Sequence, residues 1–239
     1  MSSKLEVISR QMTADTQPIV TSAGEFDRQR QKDSDLVWPL ITFAERVAAS
    51  MLMLVLFPFL LTIGLLIILL SRRSPLVRHS RIGQHGRELK ILKFRTMWSG
   101  SASNICRHFL VEPVPDCGEL QPKRQSDPRV TSRFAAFCRK HSIDELPQLW
   151  HVIRGDMALI GPRPQTALEL RKYYGPHAGR LLTVKPGLSG LWQVAGRSRV
   201  NREQRRKLDL FMVDNWSIRL YLHILNATIP TVLSGRDAW

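Results

Sequence analysis

The hydrophobic pattern is most extreme from Val47 to Leu70, where the chain carries no charge and is almost wholly apolar. A helix that is apolar on every face does not suit the core of a soluble protein of this size, so the stretch predicts a membrane segment. As a helix it would extend ~36 Å, enough for a hydrocarbon core of ~30 Å.

Pro58 divides this stretch into two nearly equal halves. A proline inside a helix removes a backbone hydrogen bond and bends the rod. Two topologies therefore fit: a kinked span, or a re-entrant hairpin that enters and leaves by the same face. Arg46 precedes the stretch, and Arg72 and Arg73 follow it. Basic residues on both flanks favour cytoplasmic placement of both ends, so we expect the re-entrant form.

The same pattern divides the chain into three segments. Residues 1–37 are polar and have no apolar period, which predicts a disordered tail. Residues 38–71 are the membrane helix, and residues 72–239 form a basic globular region. Within that region, residues 89–97 mix cations with apolar side chains and predict a strand or an interfacial stretch. Residues 99–128 are rich in proline and indicate a loop.

Helical patterning returns in the second half of the chain. It covers residues 165–174, follows the rigid turn at 161–164, and recurs twice near the C-terminus. Residues 201–213 predict a cationic amphipathic helix, which suits either an anionic membrane surface or a solvated outer face. Residues 217–233 predict a mostly apolar helix.

The most informative polar positions are two adjacent carboxylates, Asp144 and Glu145. Pro147 is tolerated only in the first turn of a helix, so a helix is expected to begin near Asp144 and to end near Gly155. The N-terminus of a helix attracts phosphate. Without further information the pair also fits an N-cap and a first-turn acid, worth about 1 kcal/mol. The apolar face of this helix comprises Leu146, Leu149, Trp150 and Ile153.

The overall charge points to an anionic partner. The chain has 35 Lys and Arg residues against 20 Asp and Glu residues, a net charge of +15. Such a surface suits nucleic acid, an anionic membrane or a phosphorylated substrate. The three cysteines lack paired spacing, so no disulfide framework is expected. Cys106, His108 and Cys117 form only a weak zinc pattern, and zinc is not predicted.

A glycine-rich stretch from Lys185 to Arg197 contains Gly187, Trp192 and Gln193. Glycines let a backbone approach a ligand closely, and an arginine offers a two-pronged donor to phosphate. Glycine loops are common, so this stretch alone is a weak signal.

The chain contains several motifs in order: KFRTM at 93–97, DPRVT at 127–131, RKHSIDELPQ at 139–148, RGDM at 154–157, GPRP at 161–164 and PGLSGLWQV at 186–194. Together they resemble the bacterial sugar transferase family, over about residue 40 to the end. These proteins are monotopic polyprenyl-phosphate phosphoglycosyltransferases. The short form and the ending at residues 228–230 look most like undecaprenyl-phosphate galactose phosphotransferases that initiate exopolysaccharide assembly.

The resemblance implies a two-step reaction on the cytoplasmic face of the bacterial inner membrane. Asp144 would attack the β-phosphorus of a UDP-sugar, release UMP and carry the sugar phosphate, which undecaprenyl phosphate would then accept. Glu145 would share Mg²⁺ with Asp144, and Arg139 would meet the lipid phosphate. The nucleotide sugar would be held by Arg163, Pro164, Lys185, Gly187, Gln193 and Arg197.

The resemblance also implies the fold: a compact, α-rich α/β catalytic domain over residues 72–239, built around a re-entrant helix broken at proline. Several positions depart from the family pattern, and two of them are Phe57 and Tyr221. Phe57 stands where serine usually precedes the proline, which weakens the expected break. Tyr221 replaces the usual aspartate near the C-terminus.

Two other functions fit parts of the sequence. A membrane-anchored basic binding protein without catalysis would carry the same charge, although nothing here resembles a nucleic-acid-binding module. An ordinary glycosyltransferase would move the sugar without its phosphate and release UDP. The sequence does not choose between galactose and glucose, and it leaves homo-oligomerisation open.

Overall fold

The structure, a computed structural model, describes residues 23–97, 132–196 and 200–234. The predicted loop at 99–128, the cysteine–histidine pattern within it and Arg197 lie outside these residues. The chain forms two compact units that meet at residues 41 and 42. All contacts described below belong to the second unit.

Helix α1 spans Ala23–Ser71 and contains the apolar stretch. Residues 23–37, which the sequence assigns to a disordered tail, are therefore helical, and residues 1–22 lie outside the described chain. Extending an existing helix avoids the cost of nucleating a new one, which favours this N-terminal extension. The helix is continuous through Pro58, so the predicted break is not seen. By length and composition, Val37–Ser71 is long and apolar enough to cross a membrane.

One narrow stripe of α1 packs against the rest of the second unit. Its buried side chains are three, four or eleven residues apart, which is one or three helical turns, as one face of a helix requires: Glu45, Ala49, Leu60, Ile63 and Ile67. The opposite face is apolar and exposed, with Leu54 and Val55 each about three-quarters accessible. The α1 helix thus lies against the domain from residue 45 to residue 67 and presents its other apolar face outward.

Two clusters of buried side chains receive this stripe. Ala49 packs in the first and Ile67 in the second. The first cluster also contains Leu89, Ile91, Leu149, Val152 and Met157. The second contains Leu60, Ile63, Phe94, Cys138 and Ile143. The core therefore forms between α1 and the elements that carry the acidic pair.

The stretch predicted as a strand or an interfacial segment is a strand. Strand β1 (Leu76–Ile82) pairs antiparallel with β2 (Glu88–Phe94), in register from Leu76 opposite Phe94 to Ile82 opposite Glu88. A short 3₁₀ turn, Gln84–Gly86, connects them. In β2 the inward side chains Leu89 and Ile91 alternate with exposed ones, as a half-buried strand requires.

The remaining elements complete a mostly helical domain with two small sheets, so the expected α-rich α/β class is confirmed. Strands β3 (Ala158–Ile160) and β4 (Gly187–Ser189) pair in parallel. The helices are α2 (Arg133–Lys140), α3 (Leu149–Arg154), α4 (Ala167–Glu169), α5 (Ala178–Leu181), α6 (Leu191–Ala195), α7 (Arg202–Asp214) and α8 (Ile218–Ser234). A π-helical turn at Leu170–Tyr174 and 3₁₀ helices at Ile143–Gln148 and Gly175–His177 link them.

Glu45, near the start of the packed part of α1, forms hydrogen bonds with strand β3 and helix α8. Its Oε1 accepts hydrogen bonds from the Leu159 amide at 2.9 Å and from the Tyr221 hydroxyl at 2.8 Å. Tyr221, the departure from the family pattern, is therefore a buried side chain with a defined partner. Helices α1 and α8 are joined at this point.

Candidate active site

The acidic pair lies on the 3₁₀ helix Ile143–Gln148, between α2 and α3. Ser142 precedes it in the left-handed region, with a φ of 57°, and its carbonyl accepts a hydrogen bond from the Glu145 amide at 3.1 Å. The expected α-helix beginning near Asp144 is therefore wrong in detail: Asp144 is inside the 3₁₀ turn, and α-helix starts only at Leu149. Pro147 fits this turn, and the end at Gly155 is confirmed.

The expected apolar stripe of this segment is partly wrong. Leu149 is buried, but Trp150 is about half exposed. The 3₁₀ winding of the first six residues changes the angular spacing that an uninterrupted α-helix would have. Val152 fills the core position instead.

Glu145 receives two cations from distant parts of the chain. Its Oε1 lies 2.6 Å from the Lys93 ammonium on β2 and 3.3 Å from a guanidinium nitrogen of Arg163 in the turn after β3. The side chains of Lys93 and Glu145 are each less than one-fifth exposed. Burial lowers the pKa of Lys93, whereas the Glu145 charge raises the pKa of Arg163. These contacts hold the carboxylate of Glu145 in a fixed position.

Asp144 lies in the same group of charges. Burial, together with the adjacent Glu145 carboxylate, raises the pKa of Asp144 to about 6, while Lys93, Arg139 and Arg163 act in the opposite direction. At pH 7 about nine-tenths of such a carboxyl is ionised. The structure thus places a mostly ionised carboxylate near three cations.

Sequence reasoning missed two cations of this site, Lys93 and Arg81. Lys93 continues the inward alternation of Leu89 and Ile91 along β2, and a lysine at an inward position was the available signal. Arg81 on β1 pairs with Glu169 at 3.3 Å. Both cations line a small cavity of about 10 Å³. Its remaining lining residues are Ile91, Glu145, Gln148, Arg163, Pro164, Gly187 and Leu188.

The glycines of the predicted loop allow one backbone to approach another. A Cβ on Gly187 would lie 2.0 Å from the Gly161 nitrogen, and one on Gly190 would lie 2.5 Å from the Gly161 carbonyl oxygen. No side chain fits at such distances. The expectation that these glycines serve ligand approach alone is therefore incomplete, since they first let β4 pack beside the turn that carries Arg163.

The other predicted site residues have different surroundings. Arg139, on α2, lowers the pKa of Asp144 through its positive charge. Gln193 donates to the Leu188 carbonyl at 3.2 Å, and its own carbonyl oxygen is buried without a hydrogen-bond partner. The positive charge of Lys185 lowers the pKa of Glu45. Lys185 lines neither cavity that Glu145 borders, so the structure does not bring it to the acidic pair.

Arg163 also contacts a second group of polar and aromatic side chains, which includes Trp192, Arg205 and Asp209. Arg163 and Arg205 lie over the Trp192 ring, 6.0 Å and 4.1 Å from its centroid. The Tyr174 hydroxyl donates to Asp209 Oδ2 at 2.6 Å. Burial raises the pKa of Asp209 to about 6. The Trp192 ring thus connects Arg163 to helix α7. This helix is amphipathic as predicted, with Met212 buried and Glu203 and Lys207 exposed, and it also buries Asp209.

A second, larger cavity meets Glu145 from another direction. Its volume is about 230 Å³. It is lined by Leu52 of α1, by Ser142, Glu145, Leu146 and Leu149, by Leu159 and Ile160, by Leu188, Ser189, Gln193 and Val194, and by Leu225, Thr228, Thr231 and Val232 of α8. Glu145 therefore borders one cationic and one mostly apolar cavity.

The described residues contain no group of three or more His, Cys, Asp or Glu side chains that could hold a metal by themselves. The acidic pair supplies two carboxylates whose mutual repulsion raises the pKa of Asp144. Mg²⁺ is commonly bound by one or two carboxylates together with substrate phosphates, so Asp144 and Glu145 fit the expected ion when a phosphorylated substrate completes its ligands.

Known proteins resemble this chain over most of its length. The bacterial sugar transferase family matches residues 38–235. The UDP-galactose-lipid carrier transferase of Erwinia amylovora is 42% identical over 178 residues, which are 73% of this chain and 37% of that protein. The exopolysaccharide production protein ExoY of Rhizobium meliloti is 38% identical over 213 residues, 87% of this chain and 93% of ExoY.

A third relative carries a more detailed name. The UDP-glucose:undecaprenyl-phosphate glucose-1-phosphate transferase of Caulobacter vibrioides is 37% identical over 201 residues, 81% of this chain and 69% of the relative. The chain thus spans about a third of the Erwinia protein and nearly all of ExoY. The family match covers most of the chain and includes every described residue of the site. The chain belongs to the bacterial sugar transferase family.

Proposed function

We propose that this protein transfers a sugar 1-phosphate from a UDP-sugar to undecaprenyl phosphate and releases UMP, as the first step of exopolysaccharide assembly. The sugar is galactose or glucose, as the names of the Erwinia and Caulobacter relatives suggest. The observation that carries the proposal is the buried pair Asp144 and Glu145, with Lys93 and Arg163 in contact with Glu145 and Arg139 favouring the charged form of Asp144. A carboxylate nucleophile needs cations to approach a diphosphate, because both groups are anionic.

The reaction proceeds in two displacements at one phosphorus atom. In the first, an Asp144 oxygen forms a bond to the β-phosphorus, and the bond from that phosphorus to the oxygen of UMP breaks. In the second, an oxygen of the lipid phosphate forms a bond to the same phosphorus and the bond to Asp144 breaks. Arg139 meets the lipid phosphate, and the free Asp144 carboxylate is regenerated.

The cations supply most of the catalysis, because phosphoryl transfer depends on positioning and on neutralising charge. Arg163 and Lys93 are held in place by Glu145, so they need little reorganisation when charge moves onto the leaving group. Arg81 extends the cationic wall of the small cavity. Mg²⁺ held by Asp144, Glu145 and the substrate phosphates supplies further charge neutralisation when it is bound.

The packing of α1 favours an arrangement in which both ends of the apolar stretch stay on one side of the membrane. Residues 45 to 67 touch one domain along their whole length, and the outward face is apolar. A simple span would carry one end of this segment away from the domain to the other side of the bilayer. We therefore propose that both ends of the apolar stretch lie on the cytoplasmic face, with the exposed side of α1 in lipid.

The decisive experiment identifies the nucleotide that leaves. Detergent-solubilised protein, UDP-galactose or UDP-glucose, Mg²⁺ and a polyprenyl phosphate should yield UMP. An ordinary glycosyltransferase would yield UDP, and a binding protein would yield neither. Without lipid acceptor, the peptide containing Asp144 should gain the mass of one hexose phosphate. An adduct on another residue would refute the role of Asp144.

A further inference from the structure

The apolar cavity beside Glu145 is lined for a hydrocarbon rather than for a nucleotide sugar. Glu145 is its only charged lining residue among the described ones. Its hydroxyls already have partners: Ser189 and Thr228 bond each other at 2.8 Å, and Thr231 donates to the Ala227 carbonyl at 2.7 Å. A UDP-sugar carries two phosphates and many hydroxyls, and apart from Glu145 these walls offer them little beyond the unpartnered carbonyl oxygen of Gln193.

Two helices with exposed apolar side chains form the outer walls of this cavity. Leu52 of α1 is 44% exposed, so it stands at the cavity's outer edge beside the exposed Met51. On α8, Leu225 lines the cavity, whereas Leu222, one helical turn earlier, is half exposed and does not line it. The cavity therefore runs from the exposed apolar surface of α1 to a carboxylate of the acidic pair.

The size of the cavity limits what it holds. An apolar cavity of about 150 Å³ binds benzene, which has six carbon atoms. By that measure the 230 Å³ cavity accommodates roughly nine carbon atoms, close to two five-carbon isoprene units.

We infer that this cavity is the subsite for the isoprene units nearest the phosphate of the polyprenyl acceptor. The inference rests on the proposed function, which supplies an acceptor whose phosphate is attached directly to an apolar chain. Such a molecule needs a cationic region next to an apolar one, and Glu145 borders both kinds of cavity. The remainder of the chain leaves past Leu52 into the membrane.

The first test measures wild-type protein that already carries the sugar phosphate on Asp144, mixed with soluble polyprenyl phosphates of increasing length. Burying one methylene group strengthens binding about fourfold, and ordering the chain offsets part of that gain. We expect transfer efficiency to rise about tenfold or more from one isoprene unit to two, and less than about threefold from three units to eleven. Equal efficiency with one and two units would overturn the assignment.

The second test fills the cavity. Leu225→Trp should lower transfer to the two-unit acceptor about tenfold or more while adduct formation from the UDP-sugar is unchanged. The matched control Leu222→Trp, on the same helix but facing outward, should leave both steps unchanged. Loss of adduct formation in Leu225→Trp alone would assign the cavity to the nucleotide sugar instead. Unchanged transfer in that variant would also overturn the inference.

The two proposals fail in different ways. If wild-type protein forms no sugar-phosphate adduct, the proposed function is wrong and the cavity assignment falls with it. If the adduct forms but transfer is insensitive to acceptor length and to Leu225→Trp, only the cavity assignment is wrong.

Discussion

The rate at which Asp144 takes up the sugar phosphate should depend on pH with a midpoint near 6. Burial and the neighbouring Glu145 carboxylate raise the pKa of Asp144 to about 6 from its ordinary 3.8. Only the ionised carboxylate is a nucleophile, so the rate follows its ionised fraction. The pKa of Asp144 therefore sets the acid limit of the first displacement.

The size of the effect follows from the pKa. With a pKa of 6, the ionised fraction falls from about nine-tenths at pH 7 to about one-tenth at pH 5, a tenfold loss of rate. A carboxyl with the ordinary pKa of 3.8 would remain about nine-tenths ionised at pH 5 and would lose almost nothing. The two cases differ by roughly an order of magnitude at pH 5.

The assay is the single-turnover release of UMP from a UDP-sugar, measured by rapid quenching at a low, fixed Mg²⁺ concentration, because bound Mg²⁺ would itself lower the pKa of Asp144. The lipid acceptor must be omitted, because the second ionisation of a phosphate monoester also has a pKa near 6 and would confuse the result. Equal rates at pH 5 and pH 7, in protein shown by circular dichroism to be folded at both, would refute the reasoning.

A matched pair of variants tests the cause of the shift. Lys93 acts to lower the pKa of Asp144, so Lys93→Gln should move the midpoint above that of wild type. Lys90, on the same strand but exposed, provides the control, and Lys90→Gln should leave the midpoint unchanged. Lys93→Gln should also lower the maximal rate, so the midpoint is the quantity that tests the electrostatic argument. A midpoint that moves down would contradict it.

Three further changes test other parts of the structure. Because the folded pKa of Asp144 exceeds its unfolded value, the stability this group contributes is present below about pH 4 and is lost as the pH rises through 6. Asp144→Asn should therefore abolish the adduct yet unfold at pH 7.5 at the wild-type temperature or above it; a clearly lower temperature would show that the carboxylate stabilises the fold. Arg139→Lys should slow transfer to lipid about tenfold or more and spare UMP release without lipid, since an ammonium cannot reproduce a two-pronged donor; normal transfer would remove Arg139 from the site. Gly187→Ala places a Cβ 2.0 Å from the backbone nitrogen of Gly161 and should destabilise the protein by several kcal/mol, whereas Gly179→Ala, with open space around its Cβ, should change stability by less than about 1 kcal/mol in thermal unfolding.

A fourth prediction concerns topology. Single cysteines introduced on either side of the apolar stretch should both resist an impermeant thiol reagent in intact cells, because the proposed arrangement keeps both ends in the cytoplasm. Labelling of the N-terminal cysteine alone would establish a span across the membrane and contradict the proposed arrangement.

Much of this protein could be predicted from its sequence, because the features concerned depend on neighbours along the chain. The apolar stretch of α1, the alternation in β2, the stop at Gly155 and the helix α8 each follow from local hydrophobic period or backbone preference. The acidic pair was also visible, since two adjacent carboxylates before Pro147 stand out in any reading of the chain.

Other features were decided only by tertiary structure. Lys93 and Glu145 are 52 residues apart in sequence, and Glu45 and Tyr221 are 176 apart. No local period reports contacts of that kind, so the cationic wall, the role of Tyr221 and the second cavity could not be foreseen. The 3₁₀ form of the turn at Asp144 likewise differs from the α-helical start predicted from Pro147.

The glycines illustrate the division most clearly. Sequence identified them as places where a backbone can come close to something, because glycine lacks a Cβ. Only the folded chain shows that Gly187 comes close to Gly161, where two strands far apart in sequence pack side by side. A glycine in the sequence shows that another backbone can come close at that position. Which backbone does so is decided by the packing of the whole domain.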